Sequence, residues 1–169
     1  FSSKKMALLA QHASPPLPLL LKEALKCSDN LAMDALFATL LESSSPIFKW
    51  DVAGKIVKRM LEDTFKLDLS NALITDGSGL SFFNLFSAHH LAEILWKASK
   101  DPQLQPLLFE GLAIGGKDGT LERRLKNLPA PITISAKTGT LINVRNLAGF
   151  ILKNKKPAYL FSIMVENFS

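Results

Sequence analysis

Two short motifs hold the residues whose types and spacing could carry out chemistry, and the first is Lys137-Thr138-Gly139-Thr140. The preceding segment, Ile132 to Ala136, alternates apolar and polar residues, a pattern that predicts a half-buried strand. On such a strand Lys137 and Gly139 point to the same side. A cation beside a position without a side chain allows an anionic, peptide-like ligand to approach the backbone closely. Taken alone, the motif also fits an ordinary turn.

The second motif, Ser28-Asp29-Asn30, has two interpretations. Its residue types favour helix N-caps, and an apolar helical pattern follows from Leu31 to Leu41, so the motif can simply begin a helix. Lys137 follows Ser28 by 109 residues (137 minus 28). In this order and at this spacing, Ser-Asp-Asn and Lys-Thr-Gly resemble two of the three motifs of the penicillin-recognising serine acyltransferases.

Length and composition predict one globular domain with a core of its own. The chain has 169 residues, of which 47% are hydrophobic and 21% charged, a balance that argues against extended disorder. The net charge is +5, but no basic helix with interleaved aromatic residues is present, so no nucleic-acid partner is expected. Cys27 is the single cysteine, so no intrachain disulfide can form, and we expect it to be a small buried residue.

No cofactor or metal site is expected. His89 and His90 are adjacent, so on a helix they point about 100° apart and cannot bind one metal from one face. The segment Gly111 to Asp118 is a near miss to a phosphate-binding loop, in which Asp118 replaces the hydroxyl residue that would hold magnesium.

The order of periodic segments predicts an α+β fold, with a helical part at about 17–128 and a strand part at about 131–167. Four longer helices are predicted, namely Leu17 to Lys26, Leu31 to Leu41, Asp51 to Phe65 and Ala88 to Ser99, the last capped by Ser87. A short helix is expected near Thr120. Three strands are predicted as an antiparallel meander, beginning at Ile132, Leu147 and Tyr159.

The chain resembles the D-alanyl-D-alanine carboxypeptidases of the penicillin-binding protein 4 (DacB) type from about Ser28 to the C-terminus. Besides the two motifs, four blocks carry the resemblance: Asp76 to Ser81, Gly116 to Leu121, Ala136 to Thr140 and Asn146 to Gly149. The resemblance implies a partial penicillin-recognising serine hydrolase fold of the β-lactamase/transpeptidase type. It implies cleavage of a D-Ala–D-Ala peptide bond through an acyl-enzyme on a serine, with a lysine three residues later assisting proton transfer. The implied partners are peptidoglycan stem peptides ending in D-Ala-D-Ala and β-lactam antibiotics, and the implied location is the periplasm.

The resemblance also assigns catalytic roles to three residues. The Ser28 hydroxyl would relay a proton to the departing D-alanine, and the Asn30 amide would bind the peptide backbone of the substrate. Lys137 would place positive charge near the terminal carboxylate and keep neighbouring groups in useful protonation states.

Substrate-binding roles fall on Thr138, Gly139 and Thr140. The two threonine hydroxyls would bind the terminal carboxylate, and the Thr140 N–H would form half of an oxyanion hole. A strict pleat turns Thr138 away from the Lys137 side, so its role follows from the resemblance alone.

The sequence departs from the family pattern at two places. The only match to the nucleophile motif Ser-x-x-Lys is Ser2-Ser3-Lys4-Lys5, 26 residues before Ser28, and we interpret it as a coincidence. We therefore expect residues 1–169 to be a single C-terminal fragment of a larger transpeptidase-like domain that lacks its nucleophile. Phe82 stands where many members carry an arginine that would contact an acidic peptidoglycan side chain.

Two alternatives remain open at this point. One is a non-catalytic scaffold or binding module of the same fold, which a Ser-x-x-Lys motif in the parent protein would argue against. The other is a β-lactamase, although the chain contains no Glu-x-x-Leu-Asn segment to supply the deacylating carboxylate of class A enzymes.

Overall fold

The computed structural model describes residues 8–42 and 49–168. The helices of these ranges are α1 (Leu17–Cys27), α2 (Asn30–Glu42), α3 (Trp50–Phe65), α4 (Ala88–Lys100), α5 (Leu104–Gly111) and a short 3-10 helix (Gly119–Leu121). The strands are β1 (Ala113–Ile114), β2 (Ile132–Leu141), β3 (Val144–Lys153) and β4 (Lys156–Glu166). None of the helices within these ranges is long and apolar enough to cross a lipid bilayer.

The four longer predicted helices are present, and their ends differ from the prediction by one residue at most. Prolines do not interrupt them, because Pro16 precedes α1 and Pro18 lies in its first turn, where a missing N–H is tolerated. The prediction missed α5, in which Pro106 lies in the first turn, where the missing N–H is tolerated. Cys27 is exposed at the end of α1, so the expectation that it is buried is wrong.

Ser87 caps α4, as its position predicted. Its hydroxyl accepts a hydrogen bond from the His90 N–H at 3.0 Å, and His90 Nδ1 accepts one from the Ser87 N–H at 3.4 Å. This reciprocal arrangement satisfies two backbone donors at the start of the helix. His90 therefore has a structural role at the start of α4. Its neighbour His89 lies 3.4 Å from the Glu93 carboxylate, measured from Nε2 to Oε2.

The strands form one antiparallel sheet in the order β1-β2-β3-β4. The α+β fold class is confirmed, and β2, β3 and β4 form the expected meander. Within the described residues, β1 adds a fourth, unpredicted strand to this sheet, because it pairs with β2 through Ala113–Ala136 and Ile114–Ser135. A strand of two residues is too short to show any hydrophobic alternation, so periodicity could not reveal it.

The sheet separates two clusters of buried side chains, because successive residues of a strand point to opposite faces. On one face, α4 and α5 pack against β3 and β4. The cluster on this face consists of Leu95, Leu112, Ala148 and Phe150. On the other face, Ala136 of β2 packs with Ala113 and Leu121, all three fully buried. Lys137, the neighbour of Ala136, pairs with Ala148 and therefore lies on the same face of the sheet as α4 and α5.

Candidate active site

Ser28 lies between α1 and α2 and is the C-cap of α1. Its backbone is left-handed (φ 58°, ψ 50°), and its N–H donates to the Ala24 carbonyl. The motif was expected to begin the second helix, but its first residue, Ser28, ends α1. Asp29 caps α2 instead, since its carboxylate accepts a hydrogen bond from the Ala32 N–H at 3.0 Å. Only residues 28 and 29 separate the two helices, so the first must end α1 while the second begins α2.

Lys137 reaches this junction from β2. Its Nζ donates to Ser28 Oγ at 2.7 Å and to the Thr138 carbonyl oxygen at 2.9 Å. The side chain is partly buried, and burial lowers the pKa of Lys137 below its ordinary value of 10.5, because the ammonium loses contact with water. The structure thus brings together the serine of one motif and the lysine of the other, across 109 residues of chain.

The lowered pKa of Lys137 has a measurable consequence. Between the lowered pKa and 10.5 the unfolded chain binds more protons than the folded one, so we expect this group to make the free energy of unfolding rise with pH in that window. In the folded protein, Lys137 should lose its proton at a lower pH than lysines of the urea-unfolded protein. NMR of ¹³C-labelled lysine Cε measures both, and Lys137→Met assigns the signal. Titration of Lys137 at or above the unfolded midpoint would contradict this prediction.

Thr138 lies on the opposite face of β2 from Lys137. Its hydroxyl donates to Thr120 Oγ1 of the 3-10 helix at 2.8 Å. Sequence reasoning missed Thr120 as a neighbour of the site, although the Gly116 to Leu121 block contributed to the family resemblance. The hydroxyl pair ties β2 to the 3-10 helix beside Lys137.

The remaining predicted residues lie around this contact. Asn30 is the exposed first residue of α2, two residues after Ser28. Thr140 is exposed on β2 and pairs with Arg145 of β3. Gly139 pairs with Asn146, and a Cβ at position 139 would lie 3.2 Å from the Asn146 Cβ. A larger residue at Gly139 would therefore press against the neighbouring strand.

The Asp76–Ser81 loop is anchored to α2 by Asp34, a residue that sequence reasoning did not identify. Asp34 Oδ1 accepts hydrogen bonds from the N–H groups of Gly77 at 3.0 Å and Ser78 at 2.8 Å. Asp34 follows Asn30 by four residues, so the two side chains lie on the same face of α2. The loop is therefore held on the face of α2 that also carries Asn30.

Phe82 and Phe83 follow this loop, and their side chains are 65% and 75% exposed. An apolar ring at position 82 cannot form the ion pair with a carboxylate that an arginine would form. The Ser2–Lys5 match to the nucleophile motif lies outside the described residues.

A Lys-Thr-Gly strand on an antiparallel sheet, facing a Ser-Asp-Asn junction between two helices, defines the class of penicillin-recognising serine hydrolases. Comparison with known proteins identifies one family within this class. Residues 2–169 match the D-Ala-D-Ala carboxypeptidase 3 (S13) family, and the chain belongs to this family.

Relatives in sequence agree with this assignment. The chain is 34% identical to the D-alanyl-D-alanine carboxypeptidase DacB of Haemophilus influenzae over 166 residues, which cover 96% of the chain and 34% of that protein. It is 29% identical to the D-alanyl-D-alanine carboxypeptidase of Actinomadura sp. strain R39 over 147 residues, which cover 85% of the chain and 27% of that protein. The chain therefore spans about a third of the length of these curated relatives.

Comparison with solved structures supports the same family assignment. The crystal structure of penicillin-binding protein 4 (dacB) from Haemophilus influenzae, complexed with a novel β-lactam, superposes with a TM-score of 0.84 at 32% identity. The match covers 96% of this chain and 38% of that one. A second structure of the same protein gives a TM-score of 0.83 at 32% identity, over 98% of this chain and 37% of that one.

Proposed function

We propose that this chain forms part of the active site of a serine-type D-alanyl-D-alanine carboxypeptidase that acts on peptidoglycan peptides in the periplasm. The observation that carries the proposal is the 2.7 Å contact between Lys137 Nζ and Ser28 Oγ. Each motif alone has an ordinary structural explanation, but a partly buried ammonium held on a hydroxyl is an arrangement suited to proton transfer.

In this proposal, Ser28 passes a proton to the departing D-alanine. Lys137 donates to Ser28 Oγ, which leaves the Ser28 hydroxyl proton free for the leaving amine. Because burial lowers the pKa of Lys137, its ammonium gives up a proton more readily than a solvated lysine would. Asn30, exposed at the start of α2, would bind the peptide backbone of the substrate.

The positive charge of Lys137 would also attract the terminal carboxylate of the peptide or of a β-lactam. The hydroxyls of Thr138 and Thr140 would bind that carboxylate, and the Thr140 N–H would stabilise the developing oxyanion. In the free protein the Thr138 hydroxyl donates to Thr120 Oγ1, so binding of the carboxylate would require Thr138 to turn its proton to the ligand and Thr120 to donate to Thr138 instead. Gly139 would allow the ligand to approach the strand closely.

The nucleophile and its lysine would come from a Ser-x-x-Lys segment outside these 169 residues. Within them only Ser2–Lys5 matches, and the relatives are about three times as long. The Haemophilus protein has been crystallised with a bound β-lactam. We propose that the protein containing this chain binds such antibiotics as well.

Labelling with a fluorescent penicillin tests the proposal. We expect the 169-residue chain to stay unlabelled on a denaturing gel, whereas a longer protein that includes the Ser-x-x-Lys segment becomes labelled and releases D-alanine from a peptide ending in D-Ala-D-Ala. A labelled 169-residue chain would contradict the assignment of the nucleophile. A longer protein that is neither labelled nor active would identify a non-catalytic scaffold, and rapid turnover of a chromogenic cephalosporin would identify a β-lactamase.

A further inference from the structure

A second lysine, Lys26, connects the elements that carry Ser28 and Lys137. Lys26 lies in the last turn of α1, two residues before Ser28. Its Nζ donates to Asp118 Oδ2 at 2.7 Å and to the Leu112 carbonyl oxygen at 3.1 Å. The side chains of Lys26 and Asp118 are only 16% and 32% exposed, so this is not a solvated surface pair.

The Lys26–Asp118 pair holds the backbone of β1 at both ends. Lys26 binds the carbonyl of Leu112, directly before β1, and Asp118 Oδ1 accepts the N–H of Ile114 at 2.7 Å. The residues of β1 pair with Ala136 and Ser135 of β2, which immediately precede Lys137. A continuous set of contacts therefore runs from the end of α1, through β1, to the residue beside Lys137.

The backbone at Gly119 packs closely against both α1 and β1, which favours a fixed distance between these two elements. Gly119 has a positive φ of 55°, and a Cβ there would lie 2.5 Å from the Lys26 carbonyl oxygen and 3.0 Å from the Ala113 Cβ. The end of α1 thus rests directly on the first residue of the 3-10 helix. Little space remains in which α1 could shift toward β1.

The Asp118 carboxyl is ionised at neutral pH. Burial raises the pKa of the Asp118 carboxyl, but the hydrogen bonds from Lys26 and from the Ile114 N–H outweigh this effect and hold it below its ordinary value of 3.8. Charge-assisted hydrogen bonds of this kind are short and directional. They can therefore fix a geometry more tightly than apolar contacts do.

We propose that Lys26 and Asp118 are positioning residues that hold Ser28 Oγ within hydrogen-bond distance of Lys137 Nζ. This inference rests on the function proposed above. Neither residue contacts the substrate in this scheme, and both act through the distance between Ser28 and Lys137. A misplacement of about 1 Å in reacting groups can cost about 100-fold in rate.

The test uses the longer protein with its Ser-x-x-Lys segment and measures the second-order rate of acylation by a penicillin. We expect Lys26→Met and Asp118→Asn each to lower this rate by about 100-fold, and Lys26→Arg to recover part of it. Lys22→Met is the matched control, because Lys22 lies one turn earlier on α1 in a long, exposed 4.0 Å pair with Glu110. Its rate should stay at the wild-type value.

The pKa of Lys137 in each variant shows whether the substitution acts by misplacing Lys137 or only by removing a nearby charge. Removing the Lys26 cation would by charge alone raise the pKa of Lys137, and removing the Asp118 anion would lower it. Loss of positioning exposes Lys137 to water and raises its pKa in both variants. Upward shifts in both, measured by lysine ¹³C NMR, support the proposal, whereas opposite shifts or an unmoved Lys137 overturn it.

The titration also distinguishes failure of this inference from failure of the proposed function. If the wild-type longer protein is not acylated, the proposed function fails, and the Lys137 titration alone decides the positioning role. If Lys26→Met does not fold, the near-isosteric Asp118→Asn variant decides the question. Acylation at the wild-type rate by folded Lys26→Met and Asp118→Asn proteins overturns the inference.

Discussion

Replacing Lys137 by alanine in the longer protein is expected to slow acylation by a penicillin by about 100- to 1000-fold, the usual cost of losing one preorganised electrostatic group. The ammonium of Lys137 is the charged group that contacts Ser28 Oγ at 2.7 Å. Its removal takes away the donor to that hydroxyl and the positive charge proposed to attract the ligand carboxylate. Stopped-flow measurement of the acylation rate provides the test.

Lys153→Ala serves as the control for this prediction, because Lys153 is an exposed lysine at the far end of β3 in the same sheet. We expect it to acylate at the wild-type rate. Circular dichroism melting of both variants checks that the fold is retained. If Lys137→Ala is folded and acylates as fast as the wild type, the proposed site is wrong.

Replacing Gly54 by alanine is expected to lower the free energy of unfolding by about 3 kcal/mol, at the upper end of the usual cost of overpacking. Helix propensity alone predicts the opposite, a gain of about 0.5–1 kcal/mol from glycine to alanine inside a helix. Gly54 is buried in α3, and a Cβ there would lie 1.7 Å from the Ile74 carbonyl oxygen. This neighbour is backbone, so α3 and the Ile74 segment must separate to admit a methyl group.

Gly111→Ala is the matched comparison, since Gly111 is also a buried glycine in a helix. There the added Cβ would meet the terminal Leu25 Cδ1 at 2.6 Å, and a flexible side chain can rotate away. We expect a smaller loss for Gly111→Ala than for Gly54→Ala in urea denaturation. A Gly54→Ala protein as stable as the wild type would show that the Ile74 segment is free to move.

Gly54→Ala is also expected to affect the candidate active site. Ile74 lies two residues before Asp76, the first residue of the loop that Asp34 holds against α2. Separating α3 from the Ile74 segment should therefore disturb the loop on the Asn30 side of α2. We expect Gly54→Ala to reduce acylation as well as stability.

Local patterns in the sequence were sufficient for most of the secondary structure. The helical period predicted α1 to α4, and the alternation before Lys137 predicted β2, because both depend on neighbouring residues of the same element. The Ser87 cap was predictable for the same reason. Where a local signal was absent or ambiguous, the prediction failed: β1 is too short to alternate, and Pro106 permits a first helical turn as readily as it breaks a helix.

Ser28 shows where local reasoning was misleading. Serine, aspartate and asparagine all favour N-caps, so the sequence could not distinguish which of them would end α1 and which would begin α2. The left-handed backbone of Ser28 depends on how the two helices meet, and it directs the hydroxyl to Lys137.

By itself, the sequence determined the two motifs, their order, the fold class and the family resemblance. Only the tertiary structure decided that Ser28 and Lys137 touch, that Thr138 meets Thr120, and that Lys26 pairs with Asp118 across 92 residues. With 20 basic and 15 acidic residues in the chain, many ion pairs are possible and none has a local signature. The Lys26–Asp118 pair forms because α1 packs against β1 and β1 pairs with β2. Together these contacts bring the end of α1 close to the segment that carries Asp118.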